Sequence, residues 1–300
     1  MTTISTKLSI KFYFAVTLYF IIGAMPILPI IIFGIPEGKH FIIFFGIVLG
    51  IFGFSMFYAY LKNSPKVTID KDTIKIGQMT FYVKNIKNVA LTGKRALGLF
   101  PMESITILFD NGTKKVLFDD MYSNSYDIKL FLEQVVLNKQ EYKPKLINKI
   151  SRNAIRFERE ETFKGNQFIN IHGIMLWGLL GFLIFMIFRM TDKPVLLLFP
   201  AVYGTGWFLG FSYLMHYFGL TKDYLIIRNH NFLWMAKIYR LSDIKEVVFE
   251  QQGNLPNCMR VITIDFKNKL YPAAPLRKKK WLEMKRELEQ KGVKVRDEVY

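Results

Sequence analysis

Four stretches of this chain carry almost no polar side chains, and two longer intervals alternate apolar with polar positions. The apolar stretches are residues 12–34, 41–61, 168–188 and 194–218. At about 1.5 Å rise per residue, roughly 20 apolar residues match the ~30 Å hydrocarbon core of a bilayer. Each stretch therefore predicts a transmembrane helix, and the short gaps at 35–40 and 189–193 join them into two hairpins. Residues 41–61 contain no charge at all. Pro26 and Pro29 predict a kink or an early end in the first helix, tolerable where neighbours re-satisfy the freed carbonyls. That helix is too long for a signal-peptide core, and Ile22-Gly23-Ala24 is a poor cleavage site, so an uncleaved anchor is expected.

Strand-like alternation follows each hairpin. In 62–139, Val67-Thr68-Ile69, Thr73-Ile74-Lys75-Ile76, Phe81-Tyr82-Val83 and the run 86–91 are short strands. Residues 104–109 and 114–118 pair across Asp110-Asn111-Gly112, a strong turn signal. Asn124 can cap a helix whose Ile128, Phe131, Leu132 and Val135 form one apolar stripe. A small β-barrel or bent sheet closed by a C-terminal helix is the expected domain. Residues 140–167 read as a basic connector. Leu146, Ile150, Ala154 and Phe157 share one face, and Lys145, Lys149, Arg152, Arg156 and Arg159 lie among the polar positions. Such a helix either lies in the headgroup layer or docks on the domains as a linker. Residues 219–292 repeat the first domain, and a C-terminal tail runs on to 300. Lys222-Asp223-Tyr224 echoes Lys71-Asp72-Thr73, residues 239–247 echo 82–89, residues 261–266 echo 104–109, and Leu288-Glu289-Gln290 echoes Leu132-Glu133-Gln134. The order of the echoes points to duplication of a hairpin-plus-domain unit.

The 51% hydrophobic and 16% aromatic content is above the globular norm and is concentrated in the four apolar stretches. The net charge of +17 matters by location. Lys7 and Lys11 give the N-terminal tail +2, the first hairpin loop sums to zero and the second to +1, which leaves +14 on the segments that follow the hairpins. Positive segments stay on the cytoplasmic side. Both termini and both domains are thus expected in the cytoplasm, on a multi-pass inner-membrane protein. Cys258 is the sole cysteine, so no disulfide and no multi-cysteine metal site is expected, and a buried thiol is the simple reading.

Two motifs carry a family resemblance. Leu220-Thr221-Lys222-Asp223-Tyr224-Leu225 opens the second domain, and Leu241-Ser242-Asp243-Ile244-Lys245-Glu246-Val247 follows it. The first copy has Pro65-Lys66-Val67-Thr68-Ile69-Asp70 and Val83-Lys84-Asn85-Ile86-Lys87-Asn88-Val89. This pattern resembles bacterial pleckstrin-homology-like domains attached to membrane hairpins, over nearly the whole chain. The resemblance implies a seven-stranded bent barrel closed by a helix, in a family mostly without assigned activity. The basic inositol-lipid motif of eukaryotic relatives has no clear counterpart in the first hairpin of either copy. The expected fold class is therefore membrane α + β: four transmembrane helices in two hairpins, with two cytoplasmic pleckstrin-homology-like barrel or bent-sheet domains.

No catalytic constellation stands out. His40, His172, His216 and His230 are scattered without metal-ligand spacing, and the phosphate-loop, dinucleotide and nucleophile-elbow motifs are missing from the sequence. Asp119-Asp120 suits a helix N-terminus better than acid–base work. Neither cofactor nor metal is expected. Two basic, apolar runs are the candidate surface for anionic lipid or a protein partner. One is Lys94, Arg95, Leu97, Leu99 and Phe100, and the other is Arg277, Lys278, Lys279, Lys280 and Trp281. Cations near a bilayer gain about 1 kcal/mol each from anionic headgroups. A solvated positive-inside face is the plain alternative. Gly46 with Gly50, and Gly206 with Gly210, form small-xxx-small faces suited to helix packing within the chain or in a homo-oligomer. Nucleic acid is not an expected partner, since no recognition module is present. The leading expectation is a non-enzymatic scaffold or interaction module at the inner membrane. The alternative is a small-solute or ion transporter built on the four helices, against which stands the near-absence of polar groups mid-span. A lipid-acting enzyme would need a reactive cluster that the sequence does not assemble.

Overall fold

The computed structural model describes residues 3–36, 38, 40–98, 100–145, 147, 150, 160–189, 194–253 and 255–299. The chain forms two compact units, Met1–Lys145 and Leu146–Tyr300.

In the first unit, Ser9 opens helix α1 (Ile10–Ala24) by accepting the Phe12 N–H at 3.0 Å. The helix stops because Pro26 has no N–H to continue the ladder. A short turn, α2 (Ile27–Pro29), passes into a π-helical turn over Ile30–Gly34. The expected helix over 12–34 is thus a 15-residue helix followed by irregular turns. No proline interrupts α3 (His40–Lys62), which runs for 23 residues. Gly23 and Gly53 set the crossing of α1 on α3. A Cβ on Gly53 would lie 2.6 Å from Gly23 Cα, and one on Gly23 would lie 3.1 Å from the Phe54 ring. Only glycine permits that approach.

Strands β1 (Ile4–Ser5), β2 (Val67–Ile69), β3 (Thr73–Ile76) and β4 (Met79–Tyr82) form one antiparallel sheet in that order. In the second sheet, β5 (Ile86–Ala90) and β6 (Lys94–Leu97) run along one edge of β7 (Phe100–Phe109), and β8 (Lys114–Phe118) lines the other. Phe81 stacks on Phe109 between the sheets at 4.0 Å. Ile69, Ile74, Ile105, Ile107 and Leu117 fill the core beneath α4 (Ser125–Phe131). The π turn Leu132–Leu137 adds a residue to the last coil of that helix. Val136, not the expected Val135, is consequently the buried residue. Asn124 sits at the cap position, but its side chain is engaged elsewhere, donating to the Ser5 carbonyl and accepting from the Lys7 N–H, both at 2.9 Å.

The second unit repeats this order: β9 (Glu161–Phe163), α5 (Ile171–Arg189), α6 (Pro194–Tyr213), then β10 (His216–Leu220), β11 (Tyr224–Asn229) and β12 (Ala236–Arg240). β13 (Ile244–Gln251), β14 (Asn257–Thr263) and β15 (Asn268–Pro272) form its second sheet, which α7 (Lys278–Gln290) covers. β16 (Val295–Asp297) adds to β13 in parallel. Backbone hydrogen bonds match between the units. Val83 N–H to Asp72 corresponds to Leu241 N–H to Asp223, both at 2.8 Å, and Asp110 N–H to Asn85 corresponds to Ile264 N–H to Asp243, both at 2.9 Å. Each unit also has a bulge at the same place, between Ile86 and Asn88 and between Ile244 and Glu246.

Several expectations change. Among the described residues two helices, α3 and α5, are long and apolar enough to cross a membrane, in place of four clear spans. Only 17% of the most apolar stretch of each is buried, so neither is the core helix of a globular domain. The fourth predicted span ends at Tyr213, because 216–218 belong to β10. A short apolar strand has the same composition as a helix end, so the two are indistinguishable by hydropathy. No closed barrel forms among the described residues; each unit has two open sheets. Residues 146, 148, 149 and 151–159 of the predicted connector helix lie outside the described residues, but 161–163 are the strand β9. The apparent match of 261–266 to 104–109 is three residues out of register: by its turn hydrogen bond to Lys267, Thr263 is the equivalent of Phe109, which bonds to Thr113.

Candidate interaction surface

In both units the connection between the last strand and the closing helix is tied to the ends of the helical hairpin. In the first, Leu8 and Tyr122 form an antiparallel bridge, and the Ser9 N–H donates to the Met121 carbonyl at 2.9 Å. The Tyr122 hydroxyl donates to the Pro65 carbonyl at 2.7 Å, just past α3. In the second, Met215 and Ala273 form the bridge, and the Ala274 N–H donates to Leu214 at 2.9 Å. Gly165, ahead of α5, lies so close to the Pro275 carbonyl that a Cβ would collide. The strands on either side of each hairpin also pair, β1 with β2 and β9 with β10.

Both candidate surfaces lie near these junctions. Lys94–Leu97 and Phe100 belong to a β-hairpin arm turned at Gly98 with φ +58. Leu99 lies outside the described residues. A Cβ on Gly98 would meet the Met56 sulfur at 3.0 Å, so the arm runs beside α3. Strand alternation sends Lys94 and Arg95 outward to different degrees: Lys94 is half-buried, while Arg95 is exposed with Nε 3.4 Å from the Thr106 hydroxyl. Phe100 is 38% exposed. Leu97 is a correction: it is 2% exposed, in the core, and offers nothing to a partner.

The second run opens α7. Arg277 occupies the cap position with Lys278 and Lys279 exposed, while Lys280 pairs with Glu283 and holds that carboxyl below the usual range. Arg277 is three residues past Ala274, hence at most ~11 Å of chain from the bond to Leu214. Trp281 is the second correction. It is fully buried, with ring contacts to Phe249 at 4.9 Å and Phe218 at 5.6 Å. Trp281, Met284 and Leu288 form the buried stripe of α7, a periodicity that the cationic run beside it disguised.

The glycines divide between the units. A Cβ on Gly46 would strike Ile30 at 2.6 Å, and one on Gly50 would lie 3.5 Å from the Gly23 carbonyl, so both face the inside of the first hairpin. Gly206 and Gly210 would meet nothing within 4 Å among the described residues. Among the described residues they make no packing face within their own hairpin.

One cluster went unnoticed in the sequence. The loop between β11 and β12 is His230-Asn231-Phe232-Leu233-Trp234-Met235, whereas Gly77-Gln78 suffices between β3 and β4. That extra length, visible when the echoes are laid side by side, was the available signal. The loop folds back on the end of α6. Asn231 Nδ2 donates to the Ser212 hydroxyl at 2.8 Å, Asn229 Nδ2 to the Ser212 carbonyl at 2.7 Å, and the His230 N–H to Met215 at 2.9 Å. Phe232 meets the Phe208 ring at 6.3 Å edge-on. Leu233 and Trp234 point outward, 77% and 81% exposed. His230 is held neutral: burial pushes it down to about 4, and Lys164 adds to the effect.

The remaining buried charges are internally matched. Lys129 pairs with Asp119, Arg260 with Glu250 and Asn268, and Glu246 with Arg296 and Lys294. Such pairs fix side chains in the interior and offer no open reactive group. Cys258 is buried, its thiol donating to the Pro256 carbonyl. Among the described residues no three His, Cys, Asp or Glu side chains are grouped to hold a metal ion. What the surface offers chemically is cations beside exposed apolar groups. No protein-family model matches this chain, and no curated protein matches it.

Proposed function

We propose that this protein crosses the inner membrane four times as two helical hairpins and holds two pleckstrin-homology-like domains against the cytoplasmic leaflet. There it acts without catalysis, as a scaffold or interaction module for anionic headgroups and a protein partner. In this reading α1 with its following turns is the hairpin partner of α3, and α6 is the partner of α5. One observation carries it. Strands from both sides of each hairpin join the same sheet, β1 with β2 and β9 with β10, so each domain is fastened to both legs of its hairpin at their open end. A domain held that way keeps a constant face toward the bilayer, which suits presenting a surface and not moving a substrate. The excess of +14 on the post-hairpin segments supports the cytoplasmic side. Reporter fusions after Lys139 and at the C-terminus test the topology, and co-purification from detergent extract with mass spectrometry tests the scaffold role. Reporters on opposite sides, or repeated purification without any stable partner or bound anionic lipid, sink it.

A further inference from the structure

We infer that the loop Phe232-Leu233-Trp234 is a membrane-inserted wedge that seats the second domain on the bilayer through the lipid interface. The inference rests on the reading of α5 and α6 as membrane helices and goes further by assigning a lipid contact to the domain itself. Leu233 and Trp234 are among the most exposed large apolar side chains outside the helices. Two adjacent bulky apolar groups at about four-fifths exposure are unfavourably solvated in water. They are not loosely held, because Asn229 and Asn231 fasten the loop to Ser212. The loop also has a definite depth. Phe232 touches Phe208, five residues before the end of α6, which is about 7.5 Å up the helix from Tyr213. That level is occupied by other rings: Phe208 meets Trp177 at 6.5 Å, Trp177 meets Phe168 at 5.5 Å, and Phe232 meets Trp234 at 5.6 Å. Five aromatic side chains from α5, its approach, α6 and the loop thus form one belt. Trp and Phe beside a membrane helix end favour the headgroup–acyl boundary.

Charge fits the same occupant. Lys237 follows the loop by three residues, and Lys269 stands beside it from β15, its ammonium pushed down by burial and then by Lys237. Tyr213, the last residue of α6, donates to the neighbouring Leu270 carbonyl at 3.5 Å, which sets this strand at the helix end. Two cations forced together just below an apolar wedge suit an anionic headgroup, whose charge relieves their repulsion.

Trp234 is its own reporter. Full-length protein and W234F are placed in nanodiscs containing phospholipids brominated on the acyl chain, and the fluorescence difference between them isolates Trp234. Acyl bromines should quench that difference strongly, and aqueous iodide should leave it nearly unchanged. Brominated phosphatidylglycerol should quench roughly twofold more than brominated phosphatidylcholine at equal mole fraction, a preference that K237Q/K269Q removes. Iodide quenching without bromine quenching overturns the wedge, and equal quenching by the two lipids overturns the role of the lysines. The remaining fluorescence of W234F includes Trp177 and Trp207 on the helices and provides the control. If it too escapes bromine, the membrane reading of α5 and α6 fails instead. A nitroxide at L233C in a C258S background repeats the depth measurement without altering any tryptophan, and water-exposed labelling there also overturns the wedge.

Discussion

The Tyr122 hydroxyl and the Pro65 carbonyl, 2.7 Å apart, join the start of the closing helix to the end of α3. Tyr122 is 3% exposed, and burial pushes its phenol above the ordinary value, so the group stays a neutral donor. Y122F keeps the ring and strands the carbonyl. A buried acceptor left without its partner costs about 1–3 kcal/mol. The thermal midpoint of the protein in detergent should fall measurably, while an unchanged midpoint would show that water replaces the hydroxyl and that this tie is dispensable.

Lys129 and Asp119 form an ion pair inside the first unit, with side chains 1% and 3% exposed. Removing one member of such a pair strands a charge in the interior, at about 3–5 kcal/mol. K129M alone should therefore destabilise severely. D119L/K129M, which removes both charges, should recover most of the loss. Denaturant titration of the three proteins decides the matter, and a double variant no better than K129M would contradict the pairing.

Gly53 has no room for a methyl group, because its Cβ would fall on the backbone of Gly23 and 2.9 Å from the Ile22 carbonyl carbon. G53A should push α1 from α3 at about 1–3 kcal/mol, the range for overpacking. G206A and G210A, facing open space, should leave the midpoint within experimental error. Equal sensitivity at all three positions would mean that Gly206 and Gly210 meet a partner surface, which a cross-linking or sizing measurement would then reveal.

The helices α3 and α5 were legible because length and apolarity alone define them, and the strands because alternation and Asp110-Asn111-Gly112 do. The residues that fasten domain to hairpin were not. β1 is two residues long and pairs with Ile69 and Thr68, more than sixty positions away, and no local pattern encodes such a partner. Lys129 reads as surface until Asp119 is seen beside it. Arg277 to Lys280 drew attention away from Trp281, although Trp281, Met284 and Leu288 carry the helical period. The wedge loop was hidden by its neighbourhood, since Phe-Leu-Trp-Met looks ordinary in a chain with 51% hydrophobic residues.

His216 gives the protein a pH dependence that separates from its carboxylates. It lies on β10 beneath Tyr213 and Tyr271, 1% exposed, with Nδ1 2.9 Å from the Pro272 carbonyl. Nδ1–H donates there, and Nε2 is buried with no hydrogen-bond partner among the described residues, so a second proton is disfavoured and the ring stays neutral. Burial pushes its pKa from 6.5 down to about 4, against the Pro272 carbonyl, which favours a second proton, and together with Lys269, which opposes one. Unfolded His216 binds a proton below about 6.5 and folded His216 does not, so the unfolded state gains protons first as the pH falls. Stability from this group is complete above pH 6.5 and drains away toward pH 4, by up to ~3 kcal/mol. His230 adds a smaller contribution of the same sign, since it is only half-buried. Asp265 acts elsewhere: burial raises it, but hydrogen bonds from Lys267 and Thr263 outweigh that and hold it below 3.8, so its contribution is lost only in stronger acid. The unfolding midpoint should therefore drop between pH 6.5 and 5, and H216Q should flatten most of that drop while leaving the steeper loss below pH 4 in place. A wild-type profile already flat from 6.5 to 5, or a slope that H216Q does not reduce, would mean that the ring is protonated in the folded protein.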